Sequence, residues 1–247
     1  MRKFSAVLIY SLFFCSFILA QENSDTIENI REEQGTENIK PVPIPVGFYI
    51  GSQVIVSNTG NKVDTPAGIA VNFGGEYEYR ALKHLNFSPS LDFSFFHYGL
   101  INGRAHICEI ENRTALTFTF SLDMPVLASF DINRWNISFG GGLVFLVRFG
   151  ILDLGVKPEE KNSAGVTAKE EVKKINSFFW KNGRFIYPSF RFKAAYTFES
   201  GWKIGLQTKF FLPICNLWDK AKPKFSDGMI VQIGIIIHPA KRQKIKK

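Results

Sequence analysis

Between residues 46 and 238, apolar side chains recur at every second position in eight separate runs. The runs are 46–56, 67–80, 85–96, 114–130, 135–149, 186–198, 202–214 and 229–238. In the fourth, Leu116, Phe118, Phe120, Leu122, Met124, Val126 and Phe130 share a face; in the fifth, Trp135, Ile137, Phe139, Leu143, Phe145, Val147 and Phe149 do. A period of two puts alternate side chains on opposite faces of a strand, so each run predicts a β-strand. None of the eight apolar faces carries a charge.

The opposite faces decide the environment. They are rich in small residues: Gly47, Gly51, Gly74, Ser88, Ser90, Ser94, Thr117, Thr119, Ser121, Ser138, Gly140, Gly142, Ser189 and Gly205. The interior of an eight-stranded barrel is only wide enough for side chains to fill it. Small residues fit there, whereas the bulk of the Phe, Leu, Ile and Val does not. The large apolar face therefore points outward, where a bilayer requires it and water would not tolerate it. A soluble barrel or sandwich with its apolar side inward is the competing reading, and it fails on volume. The connections alternate between short (81–84, 131–134, 199–201) and long (58–66, 97–113, 150–185, 215–228). Tight turns on one side and long loops on the other fit a membrane barrel. Tyr77, Tyr79, Phe130, Trp135, Tyr196, Phe198 and Trp202 cluster near the short turns and read as an interfacial girdle. The expected fold is all-β, an eight-stranded antiparallel up-and-down transmembrane barrel over 45–238.

The segments before and after the barrel differ in composition. Met1-Arg2-Lys3 followed by the apolar stretch Phe4–Leu19 and Ala20 reads as a signal peptide over 1–20, with an uncleaved anchor as the alternative. Residues 21–44 read as a disordered acidic and proline linker: six Asp/Glu against Arg31 and Lys40, then Pro41, Pro43 and Pro45. The whole chain has 30 Lys+Arg and 22 Asp+Glu, a formal charge of +8. The tail 239–247 is basic, with Lys241, Arg242, Lys244, Lys246 and Lys247. Its default reading is a solvated run; the alternative is contact with anionic headgroups.

The pattern of strands and loops over 46–238 resembles the eight-stranded outer-membrane barrels of the OmpA/OmpX/OmpW type. Leu122-Asp123-Met124-Pro125-Val126-Leu127, followed after a turn by Gly140-Gly141-Gly142-Leu143, is similar to a stretch frequent in those families. The resemblance implies a bacterial outer-membrane location with both termini periplasmic. The chain departs from the type at its end, where Ile237-His238-Pro239 and the basic tail stand in place of a terminal aromatic residue. Pro89, Pro125, Pro188 and Pro213 are expected to mark bulges or strand ends, since proline removes a ladder donor.

Ionisable residues on the inward phase are few and segregated. Acids lie mainly on the second to fourth runs and bases on the sixth and seventh. Buried charges need partners, which predicts a cross-lumen ion-pair network of Glu76, Asp92, Asp123, Arg191, Lys193 and Lys209. Glu78, Arg80 and Lys203 are expected in the lumen near its periplasmic end. Arg148 also falls on the inward phase. Such a network either fixes the barrel as a polar core or forms a narrow gate for a solute. Thr167-Ala168-Lys169-Glu170 is a capping-box pattern and predicts a short helix in loop 150–185, with Ser177-Phe178-Phe179-Trp180 returning the chain to the membrane interface. Cys108 and Cys215 lie in different long loops, and pairing them requires both to fold across the mouth. His84, His97 and His238 read as interface or turn residues. No nucleophile–base arrangement, metal-ligand spacing or cofactor motif is present, so no enzyme, metal or cofactor is expected. The predicted function is a porin-like small channel or a sealed structural barrel of the envelope. The alternative is an adhesin or receptor acting through loops 97–113 and 150–185. Expected partners are outer-membrane lipid and a small solute or surface ligand, without nucleic acid, for a monomer.

Overall fold

The computed structural model describes residues 39–56, 69–101, 103–107, 114–162, 164–219 and 223–244. The segment read as a signal peptide (1–20), most of the segment read as a linker (21–44), and Cys108 lie outside them. The barrel wall is built from β2 (Val46–Ile55), β3 (Ile69–Tyr77), β6 (Ser90–Ile101), β8 (Thr114–Ile132), β9 (Trp135–Leu152), β10 (Ile186–Thr197), β11 (Lys203–Phe211) and β12 (Ile230–His238). Each pairs antiparallel with the next, and β12 pairs back onto β2 from Ile230↔Ile55 to Ile237↔Phe48. The ladder is therefore closed, and a closed ladder has no edge to satisfy.

Alternation along these strands sorts the side chains as predicted. Phe48, Ile50, Leu91, Phe190, Leu206 and Ile233 are each more than half exposed on the outer surface. The girdle residues Trp135, Tyr196 and Phe198 touch in edge-on pairs, with ring centroids 5.3 and 5.0 Å apart. The inner face is less uniformly small than the sequence suggested. Tyr49, Phe96, Tyr98, Leu127, Leu146, Tyr187 and Phe211 also point inward and are buried. Glycines make room for them. A Cβ on Gly51 or Gly234 would meet the Tyr49 side chain, and one on Gly140 or Gly142 would collide with the backbone carbonyls of Val126 or Met124 on the paired strand β8.

The second and third runs are each broken. Tyr79–Leu82 (β4) continues the wall beyond Glu78, and Leu85–Phe87 (β5) precedes β6. Pro89 sits at the second break and Pro213 lies past the end of β11. Pro125 and Pro188 were expected at bulges or ends, yet both lie within continuous strands. Their missing donors face gaps in the neighbouring wall. Pro188 stands just beyond the last β10–β11 pair, and Pro125 faces Ser88, beyond the last β5–β8 pair.

Ile39–Pro43, at the end of the segment read as linker, forms β1, and Ala240–Lys244 of the basic tail forms β13; the two pair as a separate two-stranded sheet. At the long-loop end, β8 and β9 run 19 and 18 residues, about 60 Å at strand rise and well beyond the ~10 residues a bilayer needs. Their excess length forms a raised wall. Against it lies α1 (Ala168–Trp180), the predicted helix. Thr167 Oγ1 accepts from the Glu170 N–H, and Glu170 Oε2 accepts from the Thr167 N–H. That bond holds the Glu170 carboxyl below the usual carboxylate range. Asn176 fixes the helix laterally, with Nδ2 donating to Gly150 O at 2.9 Å and Oδ1 accepting from Gly150 N at 2.6 Å. Thr167→Ala should cost about 1 kcal/mol of local helix stability. Faster amide hydrogen exchange confined to the first turn of α1 is the expected reading, and unchanged exchange there would contradict it.

Candidate functional site

The lumen is crossed at mid-height by a layer of charges. Arg191 on β10 donates through Nη1 to Glu76 Oε2 at 3.0 Å and through Nη2 to Asp123 Oδ2 at 2.6 Å. It also reaches Ser90 Oγ at 2.7 Å and the carbonyl of Ser88 at 3.0 Å. The last contact has a local cause: Ser88 faces Pro125, which has no N–H to give, and the guanidinium supplies the missing donor. Lys193 Nζ donates to Glu76 Oε1 at 2.8 Å, and Lys209 Nζ donates to Asp92 Oδ2 at 2.6 Å. All six side chains are at most 1% exposed. The six residues expected to meet across the lumen are thus brought together. Acids come from β3, β6 and β8, and bases from β10 and β11.

Towards the short-turn end, Lys203 Nζ donates to Glu78 Oε2 at 2.8 Å and Lys193 Nζ lies 3.4 Å from the same oxygen. Arg80 departs from the expectation. It is half exposed and pairs with Asp131 at 2.7 Å. The reason is the break after Tyr77, which carries β4 past the level of the lumen. His238 departs the other way: it is buried inside, with Nε2 3.1 Å from Glu76 Oε1. The sequence offered a signal for it, since His238 lies on the inward phase of the eighth run. Glu76, Glu78 and His238 bring three ligand atoms within 4.8 Å of one another. The ammonium groups of Lys193 and Lys203 already occupy the cationic position beside them.

At the long-loop end a second cluster fills the mouth. β7 (Arg104–Ile107) folds back on β6, and residues 214–217 form a 3-10 turn. Phe178 and Phe179 do not return to the membrane interface. Phe179 is 1% exposed, packed edge-on to Tyr98 at 4.9 Å and under the Arg148 guanidinium at 4.4 Å. Arg184 stacks on Phe178 at 3.9 Å. Only Trp180 of that stretch is half exposed. The physical reason is the helix itself, whose period puts Ile175 and Phe179 on one face towards the barrel. Asp219 Oδ2 accepts from Arg104 Nη1 at 2.8 Å and Arg184 Nη2 at 2.6 Å, and Asp227 Oδ2 lies 3.2 Å from Arg104. His106 Nδ1 stands 3.9 Å from Asp227 Oδ1. Burial holds that imidazole below its ordinary range and pushes the Cys215 thiol up. Cys215 is a free, buried thiol.

With the ladder closed, the outer belt apolar and the lumen packed, the architecture is fixed. The chain is an eight-stranded barrel of the outer-membrane type. Among solved structures it is similar in fold to Neisserial surface protein A, at 9% identity and TM-score 0.43, covering 86% of this chain and 100% of that one. It is also similar to Ail, the attachment invasion locus protein of Yersinia pestis, solved with the heparin analogue sucrose octasulfate, at 8% identity and TM-score 0.39, covering 83% and 100%. The outer membrane enzyme PagL matches at 11% identity and TM-score 0.32, covering 78% and 97%. No protein-family model and no curated protein matches the sequence.

Proposed function

We propose that this chain is a sealed barrel of the bacterial outer membrane that holds a structured cap at its outer mouth, and that it does not conduct. The short-turn end with both termini faces the periplasm in this reading. One observation carries it. The ion pairs around Arg191, Lys193 and Lys209 span the lumen with every charge met by a direct partner and each side chain at most 1% exposed. A conducting pore needs hydrated, exposed charges that bind ions weakly enough to release them. Here each carboxylate is already held by a fixed cation, and displacing it would cost several kcal/mol.

The cap supports the second half of the reading. Loop 150–185 spends its length on a capped helix pinned to the β9 rim by Asn176 and Phe179. Ordered loops on a rigid scaffold are where binding surfaces concentrate. The work of the molecule, beyond sealing, is thus assigned to the outward side of loops 97–113 and 150–185.

The test is single-channel recording of the folded protein in a planar bilayer, with heat-shifted gel mobility as the folding control. Silence is the expected result. Discrete openings whose size or frequency changes in Lys209→Ala would make the layer a gate and overturn the sealed reading.

A further inference from the structure

The raised wall of β8 and β9 is covered on one side only. Its inner face packs against α1 through Ile175 and Phe179, and Asn176 ties it at Gly150. Its outer face stays apolar to the top. The β6–β8 and β8–β9 registers set that face out in rows: Leu91–Leu122–Phe145, then Phe93–Phe120–Val147, Phe95–Phe118–Phe149 and His97–Leu116–Ile151. The phenylalanines touch, with Phe118 and Phe149 stacked at 5.4 Å and Phe93 and Phe120 tilted at 4.9 Å. His97 is the one titratable side chain in these rows, and its Nε2 lies 3.3 Å from Asp153. Phe95, Val147, Phe149 and Ile151 are 42–45% exposed, and Leu154, just past β9, is 89% exposed. The upper rows stand clear of the lipid. β9 continues from Phe145, the partner of the first residue of β10, to Leu152. At about 3.3 Å per residue and a tilt of about 40°, that end rises roughly 10–15 Å above the start of β10. On the far wall β11, β12 and β2 run only 9, 9 and 10 residues, no more than a bilayer needs. An apolar face lifted into water on one side of a barrel calls for a partner.

We infer that this face pairs with the same face of a second copy, so that the protein in the membrane is a two-fold dimer in place of the expected monomer. The bilayer makes a second copy the fitting occupant. The apolar belt and the girdle hold every copy at one depth and in one orientation, so two raised walls meet at the same height under a rotation about the membrane normal. The contact uses one patch twice and closes on itself. With a single raised face per barrel, no surface is left for a third copy. The area suffices. At about 200 Å² for a whole large apolar side chain, the exposed parts of the four rows and Leu154 come to roughly 800 Å², the amount a stable pair buries on each partner. The composition fits too, since interface cores are rich in aromatic residues and poor in charge. The upper rows supply the drive, because they leave water. The lower rows continue the lipid-facing belt and add matched surface, though little drive, as lipid tails are as apolar as leucine. This contact goes beyond the sealed reading and does not depend on whether the barrel conducts.

The test counts copies of the full chain, labelled once with a fluorophore at its C-terminus and folded into lipid vesicles at a dilution where chance pairing is negligible. Photobleaching of single spots should show mainly two steps. Phe149→Glu and Ile151→Lys place a charge above the hydrocarbon, so heat-shifted gel mobility should be unchanged while the dissociation constant of the dimer rises at least about tenfold. Leu217→Lys, at a more exposed position in a different loop, should keep the two steps of the parent. If the charged variants do not fold, cross-linking decides. In a chain whose three cysteines are changed to Ala, Leu116→Cys should give a dimer with a short bis-maleimide, and Leu206→Cys on the far wall should not. One-step bleaching of the folded parent overturns the inference and leaves the wall to lipid or to a different protein. So do two steps that persist in both charged variants, or cross-links that form as readily from Leu206→Cys.

Discussion

Arg191→Met will lower the unfolding free energy of the barrel by about 3–5 kcal/mol, the cost of removing one partner from a buried ion pair. The size follows from what is left behind. Asp123 would keep only the Ser189 hydroxyl, whose Oγ donates to Oδ1 at 2.6 Å. Ser88 O would lose the donor that replaces the one Pro125 cannot give. Glu76 is better protected, because Lys193 and His238 still reach it. Replacing Asp123 as well, in Arg191→Met/Asp123→Leu, should therefore recover a large part of the loss, since an apolar pair of similar volume leaves no orphan charge. The measurement is a urea titration of protein folded into lipid vesicles. The midpoint should fall with the slope unchanged. A loss below about 1 kcal/mol, the scale of an exposed ion pair, would mean that water reaches the layer and that the lumen is not sealed.

Phe179→Ala should release the cap. Deleting a buried Phe costs about 3–5 kcal/mol when the cavity cannot collapse, and Phe179 also carries the Arg148 guanidinium and the Tyr98 edge. The loss need not unfold the barrel. A helix on a rim can open by itself, so the cost appears as local opening. Limited trypsin digestion should then cut at Lys169, Lys173 and Lys174 on α1 at least a hundredfold faster, as about 2.7 kcal/mol of lost protection implies. The heat-shifted mobility of the intact barrel should persist. Unchanged cleavage would show that Asn176 and Ile175 hold the helix without Phe179.

The barrel was legible because its rule is local. A period of two with an uncharged face needs no knowledge of which strand pairs with which, and runs such as 114–130 announce it without ambiguity. Capping at Thr167 and Glu170 is equally local. The lumen charges were legible one step further, since phase places Glu76 and Arg191 inside and depth sets them level. What the sequence hid depended on contacts between distant segments. Arg80 was misplaced because the wall breaks at Glu78 and β4 beyond it pairs with β5. Phe178 and Phe179 resembled interface anchors in composition, and only the barrel mouth beneath them turns them inward.

The segregation of the lumen charges has a consequence for the order of assembly. Glu76, Asp92 and Asp123 lie on β3, β6 and β8, with Glu78 just past β3, whereas Arg191 and Lys193 lie on β10 and Lys203 and Lys209 on β11. The partners of Arg191, Lys193, Lys203 and Lys209 in the layer are separated by 68 to 125 residues along the chain. An incomplete sheet of early strands would turn a row of carboxylates towards hydrocarbon, and one of late strands a row of cations. Neither half has a stable place in the bilayer alone. Insertion and closure of the β12–β2 seam must therefore be coupled, so that half-built barrels drop back out of the membrane rather than accumulate within it.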